Sequence, residues 1–370
     1  MMGVVRVVAA AGCLSLVLSL ALVGRGQGEL PEQRSPGDVA GAPLVNEILA
    51  HTDPPDFDAV ELFNAGSEPL AIGGWALTDN PNRPQEQWVY LPSPTTLAPG
   101  AFFVVADSQS EPWGFGLSEF GDDVYLLRPG AQGAYEVVAH VPFGVSPNGV
   151  SFGRLVDSTG RVHYPLQSEG TLGKPNAGPQ VGPVVLSEIM YHPPAGQSEY
   201  VALTNITDGI VTLYDPDFPE NRWQLQGQAS DGKPAVMFTF PAQFVLPPGG
   251  TVFVAATSPA TFRAQHPLPD DMPVLGPWDG KLDNAGERVA ILAPQPPETG
   301  GATVPPVAYA DVDVVVYGSA PPWPALANGQ GDALVRFDLH AFGDDPAYWQ
   351  AGLDRWQSDR SLYLPLIQQP

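Results

Sequence analysis

The sequence is nearly without cysteine and lysine. Cys13 is the single cysteine among 370 residues, and it lies inside an apolar N-terminal run. No disulfide framework and no cysteine-based zinc centre can be built from it, so stability has to come from burial. Lysine occurs at Lys174, Lys233 and Lys281 alone. Against 40 acidic residues stand 16 basic ones, for a formal charge of −24. Phosphate binding needs clustered lysine and arginine, so this balance argues against nucleic acid and anionic lipid as partners. It suits solubility outside the cell better than cation binding. Sustained helical periodicity is also missing. Beyond the first 28 residues no run is apolar enough to cross a membrane. None of the six histidines stands in a His-Glu-x-x-His pattern, and no Gly-rich phosphate loop opens a helix.

What is present is short, apolar and heavily punctuated. Glycine and proline number 40 and 43, which predicts many brief elements and many turns. The chain opens with Arg6 and an almost wholly apolar stretch from Val7 to Val23, followed by "VGRGQG". That layout predicts a secretory signal over residues 1–28, removed on export; the competing reading is an uncleaved anchor helix. Residues 29–41 read as a polar linker. Runs such as "AVELFN", "GGWALTD", "AFFVVAD", "DDVYLLRPG" and "GVSFGRLVD" then follow, each bounded by turn residues. Their length and spacing predict an all-β sandwich or barrel. "TFRAQHP" at Thr261 suits one short helical turn.

The body of the chain repeats itself. "VNEILAHTDPPDFDAVELFN", from Val45, returns 141 residues later as "LSEIMYHPPAGQSEYVALTN", from Leu186. Trp75 answers Trp223. "LAPGAFFVVA" from Leu97 answers "LPPGGTVFVA" from Leu246, and "LSEFGDDVYLL" from Leu117 answers "LDNAGERVAIL" from Leu282. The predicted organisation is therefore a first domain over 42–178, a linker at 179–182, a second domain over 183–349 and a tail over 350–370.

The order of these motifs carries a family resemblance. An Asn/Ser-Glu-Ile strand and a Pro-rich turn lead into a strand ending in asparagine. A Gly-Trp-x-Leu strand, a Leu-x-Pro-Gly-Gly turn and a Leu-x-Asn-x-Gly-Glu-x-Val strand come next, and the second copy closes on "YGSAPPWP" and "DDPAYWQAG". This resembles the lamin-tail domain in its bacterial, secreted form, in tandem. The resemblance implies an immunoglobulin-like β-sandwich for each copy. It also implies a setting outside the cell, where such domains accompany catalytic or surface-anchoring parts. DNA binding, known for nuclear relatives, is disfavoured by the charge. The copies depart from each other at instructive points. Ala202 stands where Glu61 stands, which speaks against an essential role for that glutamate in both copies.

Each candidate site competes with a plainer reading. Glu47 and His51 lie four apart, as do Glu188 and His192, roughly 13 Å along an extended strand and too far for one metal ion. Asp53, Asp56 and Asp58 can supply oxygen ligands to calcium, but the second copy lacks them and a solvated acidic turn is the simpler reading. The glutamates are better explained by bonds to turn or edge-strand backbone. "GVSFG", with Ser151, matches Gly-x-Ser-x-Gly, yet a strand–turn–strand pattern follows where a nucleophile elbow requires a helix. The acid pairs Asp122-Asp123, Asp270-Asp271 and Asp344-Asp345 read as exposed turn charges. No cofactor is called for. Trp113, Trp278 and Trp323 fall in Pro/Gly loops, where they either stack on a ligand or lid the ends of a sandwich.

These readings point to a secreted non-catalytic module, an adaptor for an extracellular protein or a cell-envelope polysaccharide. The alternatives are carbohydrate binding through Trp113, Trp278 and Trp323, and a hydrolase built on two converging carboxylates. The apolar "YLPLI" of the tail suits an edge strand added to the second domain, or docking onto a partner.

Overall fold

A computed structural model describes residues 41–53, 57–108, 112–296 and 307–352. The expected signal segment with Cys13, Asp56 and the tail from residue 353 lie outside them. In chain order, the first half holds β1 (Leu44–Leu49), β2 (Ala59–Phe63), β3 (Leu70–Ala71), β4 (Ala76–Thr78), β5 (Val89–Tyr90), β6 (Thr96–Leu97), β7 (Phe102–Ala106), β8 (Asp122–Pro129), β9 (Tyr135–Phe143), β10 (Phe152–Gly153), β11 (Leu155–Val156) and β12 (Val162–His163). The second half holds β13 (Val184–Met190), β14 (Tyr200–Asn205), β15 (Val211–Thr212), β16 (Gln224–Gln228), β17 (Pro234–Thr239), β18 (Val245–Leu246) and β19 (Thr251–Ala255). It continues with α1 (Pro259–Gln265), β20 (Val274–Leu275), β21 (Asp279–Gly280), β22 (Arg288–Pro294), β23 (Tyr309–Val316), β24 (Ala333–Arg336) and β25 (Trp349–Gly352). The all-β expectation and the single helical turn are both met, and the last strand runs to Gly352 rather than stopping at 349.

Two sandwiches result, and no sheet mixes strands from the two halves. In the first, the sheet β10-β1-β2-β7 packs on the sheet β5-β4-β8-β9. Val45, Ile48, Val60, Leu62, Trp75, Leu77, Val124, Leu126 and Val141 fill the space between them. In the second, β20-β19-β14-β13-β24-β25 packs on β21-β17-β16-β22-β23. Leu186, Ile189, Val201, Leu203, Trp223, Leu225, Val252, Val254 and Ile291 form that core. Trp75 and Trp223, expected as core, are buried in matching places. Each such side chain contributes roughly 1.5–3 kcal/mol by leaving water.

A bulge explains the recurring Asn/Ser-Glu-Ile motif. The register of β1 against β2 slips between Val45 and Glu47, and that of β13 against β14 slips between Leu186 and Glu188. Strict alternation would put residues three apart on opposite faces. The extra residue lets Val45 and Ile48, and equally Leu186 and Ile189, all reach the core. The asparagine that closes each copy's second strand acts as a turn clamp. Asn64 Nδ2 donates to the Glu68 and Leu97 carbonyls, and Asn205 Nδ2 donates to those of Gly209, Leu246 and Pro247. Asn205 is buried, so its Asn-x-Thr sequence is structural.

The sandwiches meet through a charged junction. The β11–β12 turn of the first places Asp157, Ser158, Arg161 and His163 against Asp344 and Asp345 of the second. His163 Nε2 lies 2.9 Å from Asp157 and its Nδ1 3.4 Å from Asp344. Arg161 bonds Asp157 at 2.9 Å and the Asp344 carbonyl at 2.9 Å. The Ser158 hydroxyl donates to Asp345, as does its backbone N–H at 3.0 Å. Burial pushes the Asp157 carboxyl up, but bonds from Thr159, His163 and Arg161 outweigh it and hold the group well below the usual range. Burial raises Asp344, opposed by His163 and Arg161. The pair Asp344-Asp345 is thus buried at an interface, a correction to the exposed-turn reading. The sequence hides this because the partners lie more than 180 residues away.

Candidate functional site

The acids of the opening motif serve architecture. The Glu47 carboxylate accepts from the Thr171 N–H at 2.9 Å, from the Thr171 hydroxyl at 2.7 Å and from the Ser151 hydroxyl at 2.6 Å. Glu61 accepts from Asn46 Nδ2 at 2.8 Å and from the Gly173 N–H. Both therefore hold the segment 166–176 as a strap across the outer face of β1 and β2. Ser151 is buried and committed to Glu47, so the Gly-x-Ser-x-Gly pattern marks a strand and not a nucleophile. In the second copy Glu188 takes the Tyr200 hydroxyl instead.

Of the calcium set, Asp53 and Asp58 lie among the described residues and each has its own partners. Asp53 accepts from Asn148 Nδ2 at 2.6 Å, while Asp58 is turned to Thr52 and the Leu117 amide. Among the described residues no group of three His, Cys, Asp or Glu side chains is placed to hold a metal ion.

Of the three loop tryptophans, Trp278 and Trp323 are 5% and 7% exposed and belong to the core of the second sandwich. Both rings pack into that core, as lids on the sandwich would. Trp113 is half-buried, packed on Phe115 at 5.3 Å between ring centroids.

A pair of carboxylates does converge, at the same end of each sandwich. Glu199, just ahead of β14, accepts the Leu282 N–H at 2.9 Å, and Glu287, just ahead of β22, accepts the Asp283 N–H at 3.1 Å. In the first copy Asp58 takes the Leu117 amide, and Asp122 the Ser118 amide at 3.2 Å. Two acids on consecutive amides thus pin one loop in each copy. Burial pushes Glu287 up to about 7, with the Asp283 and Glu199 carboxylates adding to it and the Asp283 N–H opposing. Burial also raises Glu199, Asp58 and Asp122. Glu199 and Glu287 are both buried beneath the loop they hold. That placement suits anchoring, and a hydrolytic pair needs solvent and substrate on its carboxylates.

The surface best equipped to meet a ligand is one the sequence reading passed over: the outer face of β5-β4-β8-β9. Leu77, Val124, Leu126 and Val141 point inward. Alternation sends their neighbours outward. Register then sets Tyr90, Ala76, Leu127 and Val137 in one row across the sheet, and Thr78, Tyr125 and His140 in the next. Trp88 and Tyr135 meet edge to face at 5.4 Å, with Tyr90 6.0 Å from Tyr135. Tyr125 and His140 stack at 4.3 Å, and His140 Nε2 faces Asp123. The Tyr135 and Tyr90 hydroxyls donate to the Gly74 and Gln85 carbonyls, each at 3.1 Å, which fixes the rings. Tyr90 remains 42% exposed. Ala76 and Leu127, at the centre of the face, are buried beneath Trp88, Tyr125 and Tyr135. Such a face presents held aromatic rings on a flat, rigid sheet, suited to stacking on the apolar face of a planar or ring-shaped ligand at low entropic cost. The same face of the second sandwich carries Gln224, Gln226 and Gln228 on β16, with Gln226 bonded to Gln224 at 2.7 Å and Arg288 paired to Asp311.

Comparison with known proteins bears on the first half of the chain. Residues 37–144 match the family model described as the Lamin Tail Domain. No curated protein matches. A crystal structure of a DUF4876 family protein from Bacteroides thetaiotaomicron aligns at 11% identity, over 86% of this chain and 94% of that one, with a TM-score of 0.29.

Proposed function

Starting from the match of residues 37–144 to the Lamin Tail Domain family model, we propose that the protein is a non-catalytic binding module working outside the cell. In this reading the first sandwich contacts the ligand through its aromatic outer face, and a cell-envelope polysaccharide is the ligand. The second sandwich, read as a diverged copy of the same domain, serves as the adaptor's other arm.

The observation that carries this is the cluster of Tyr90, Tyr125, Tyr135 and His140, partly or fully exposed on one sheet and seated on the buried Trp88. Sugar rings offer apolar C–H faces to aromatic side chains, and their hydroxyls find Asp123 and His140 at the rim. The acidic balance of the chain fits a neutral glycan better than an anionic one. A protein partner is the second reading, because tyrosine and tryptophan also dominate protein interfaces.

Sedimentation with a cell-envelope fraction tests this, with and without prior protease digestion of that fraction. The expected result is co-sedimentation that survives digestion and drops at least 10-fold in the Tyr90→Ala/Tyr125→Ala variant. Loss on digestion moves the assignment to a protein partner. Unchanged binding by the variant removes the aromatic face from the reading.

A further inference from the structure

The two sandwiches treat one sheet edge differently. In the second, β19 is covered by β20, which runs parallel to it with Phe253 opposite Val274 and Val254 opposite Leu275. The Phe253 N–H donates to the Pro273 carbonyl at 3.0 Å, and the Ala255 carbonyl accepts from the Trp278 N–H at 3.2 Å. β20 comes from the connection that leaves β19, which is about 16 residues longer than its counterpart after β7. In the first sandwich β7 ends the sheet order β10-β1-β2-β7.

The free side of β7 can be specified residue by residue. It pairs antiparallel with β2, Phe103 opposite Leu62 and Val105 opposite Val60. The Asn64 N–H donates to the Ala101 carbonyl and the Asp107 N–H to the Asp58 carbonyl. Antiparallel pairs alternate between bonded and non-bonded. Phe103 and Val105, together with the Ala101 carbonyl and the Asp107 N–H, therefore face β2. Phe102, Val104 and Ala106 turn theirs to the open edge, where among the described residues nothing takes them. Val104 occupies the place of Phe253, whose N–H is bonded. All of β7 is at least partly exposed, Val104 at 38%, whereas β19 is buried from Val252 onward. An open apolar edge of this kind is a template for one more strand.

We propose that the segment Leu362–Ile367 of this chain, "LYLPLI", adds to the edge of β7 as a parallel strand, as β20 does to β19. Composition argues for this occupant. It is the apolar run that follows the last strand, distinct from the N-terminal stretch read as a signal segment, and it carries no charge to repel an apolar edge. Its Pro365 lacks an N–H, which an added edge strand tolerates where that residue faces outward.

Amide hydrogen exchange on the full chain, read at Val104 by NMR, tests the pairing against a chain ending at Gly352. The expected result is exchange at Val104 at least 10-fold slower in the full chain. Protection that is independent of concentration places the segment on its own molecule, and protection that grows with concentration places it on a neighbour; both support the proposal. Leu364→Asp should abolish the protection. Val104→Pro should release the segment to proteolysis while keeping the β2–β7 bonds, because the N–H it removes is not used by β2. Equal exchange in the two chains overturns the proposal. So does protection that persists without the segment at high concentration, which would mean that β7 edges pair with each other.

Discussion

The two sandwiches share a plan and solve one problem in opposite ways. Each has a sheet whose outer face must be covered, and the second strand of that sheet decides how. In the first copy that strand carries Glu61, level with Glu47 across the pair, and the cover is a strap bound by hydroxyls and backbone amides. In the second the equivalent place is Ala202, and the cover is apolar: Tyr200, Phe253, Phe262 and Val335 close beneath α1. Divergence between repeats is therefore correlated. Loss of the glutamate goes with loss of the strap, and the longer connection after β19 supplies the replacement. A buried polar network has to be satisfied in full or discarded in full.

The contrast breaks first at Ala202→Glu. The new carboxylate enters an apolar cluster with no strap to receive it, and about 3–5 kcal/mol of stability should be lost, read from urea unfolding. Next comes pH. Glu287 sits at about 7 when folded, above its ordinary 4.5. Its contribution is complete below the unfolded value and is lost as pH rises through about 7. The second sandwich should lose up to about 3 kcal/mol between pH 4.5 and 8, and Glu287→Gln should flatten that slope. Asp122, raised by burial in the matching place, gives the first sandwich a dependence of the same sign. Glu47→Ala follows, leaving Thr171 and Ser151 donors unmet at a cost of about 2 kcal/mol. In that variant, proteolysis near residues 166–176 should speed up. Gln226→Ala, on the glutamine face of the second sandwich, should change stability by less than about 0.5 kcal/mol and leave envelope binding intact.

Much of the fold was legible because periodicity and turn chemistry are local. The strands, the core tryptophans Trp75 and Trp223, the helical turn at Pro259–Gln265 and the backbone-bonding role of Glu47 all follow from short windows. What was not legible depends on distance or on which face of a strand is left over. Trp278 and Trp323 look alike with Trp113 in sequence, each beside Pro or Gly, and packing alone separates them. The aromatic face is spread over β5, β8 and β9 as single residues with no motif spacing; alternation in "DDVYLLRPG" already placed Tyr125 opposite Val124 and Leu126, a signal that sorting each strand into inward and outward halves recovers. Asp344 gave no sign of its partners, since His163 and Arg161 belong to the other half of the chain.

The junction around His163 has a mechanical consequence. A linker of glycine and proline between two domains normally lets them swivel, so that two binding surfaces sample many separations. Here Ser158 and Arg161 grip Asp345 and Asp344 from the far side of that linker. The molecule is then a bracket with a set angle rather than a chain with two beads. Anything that engages both arms meets one spacing, gaining avidity where its own sites match that span and none where they do not. A load applied to one sandwich passes to the other without first taking up slack.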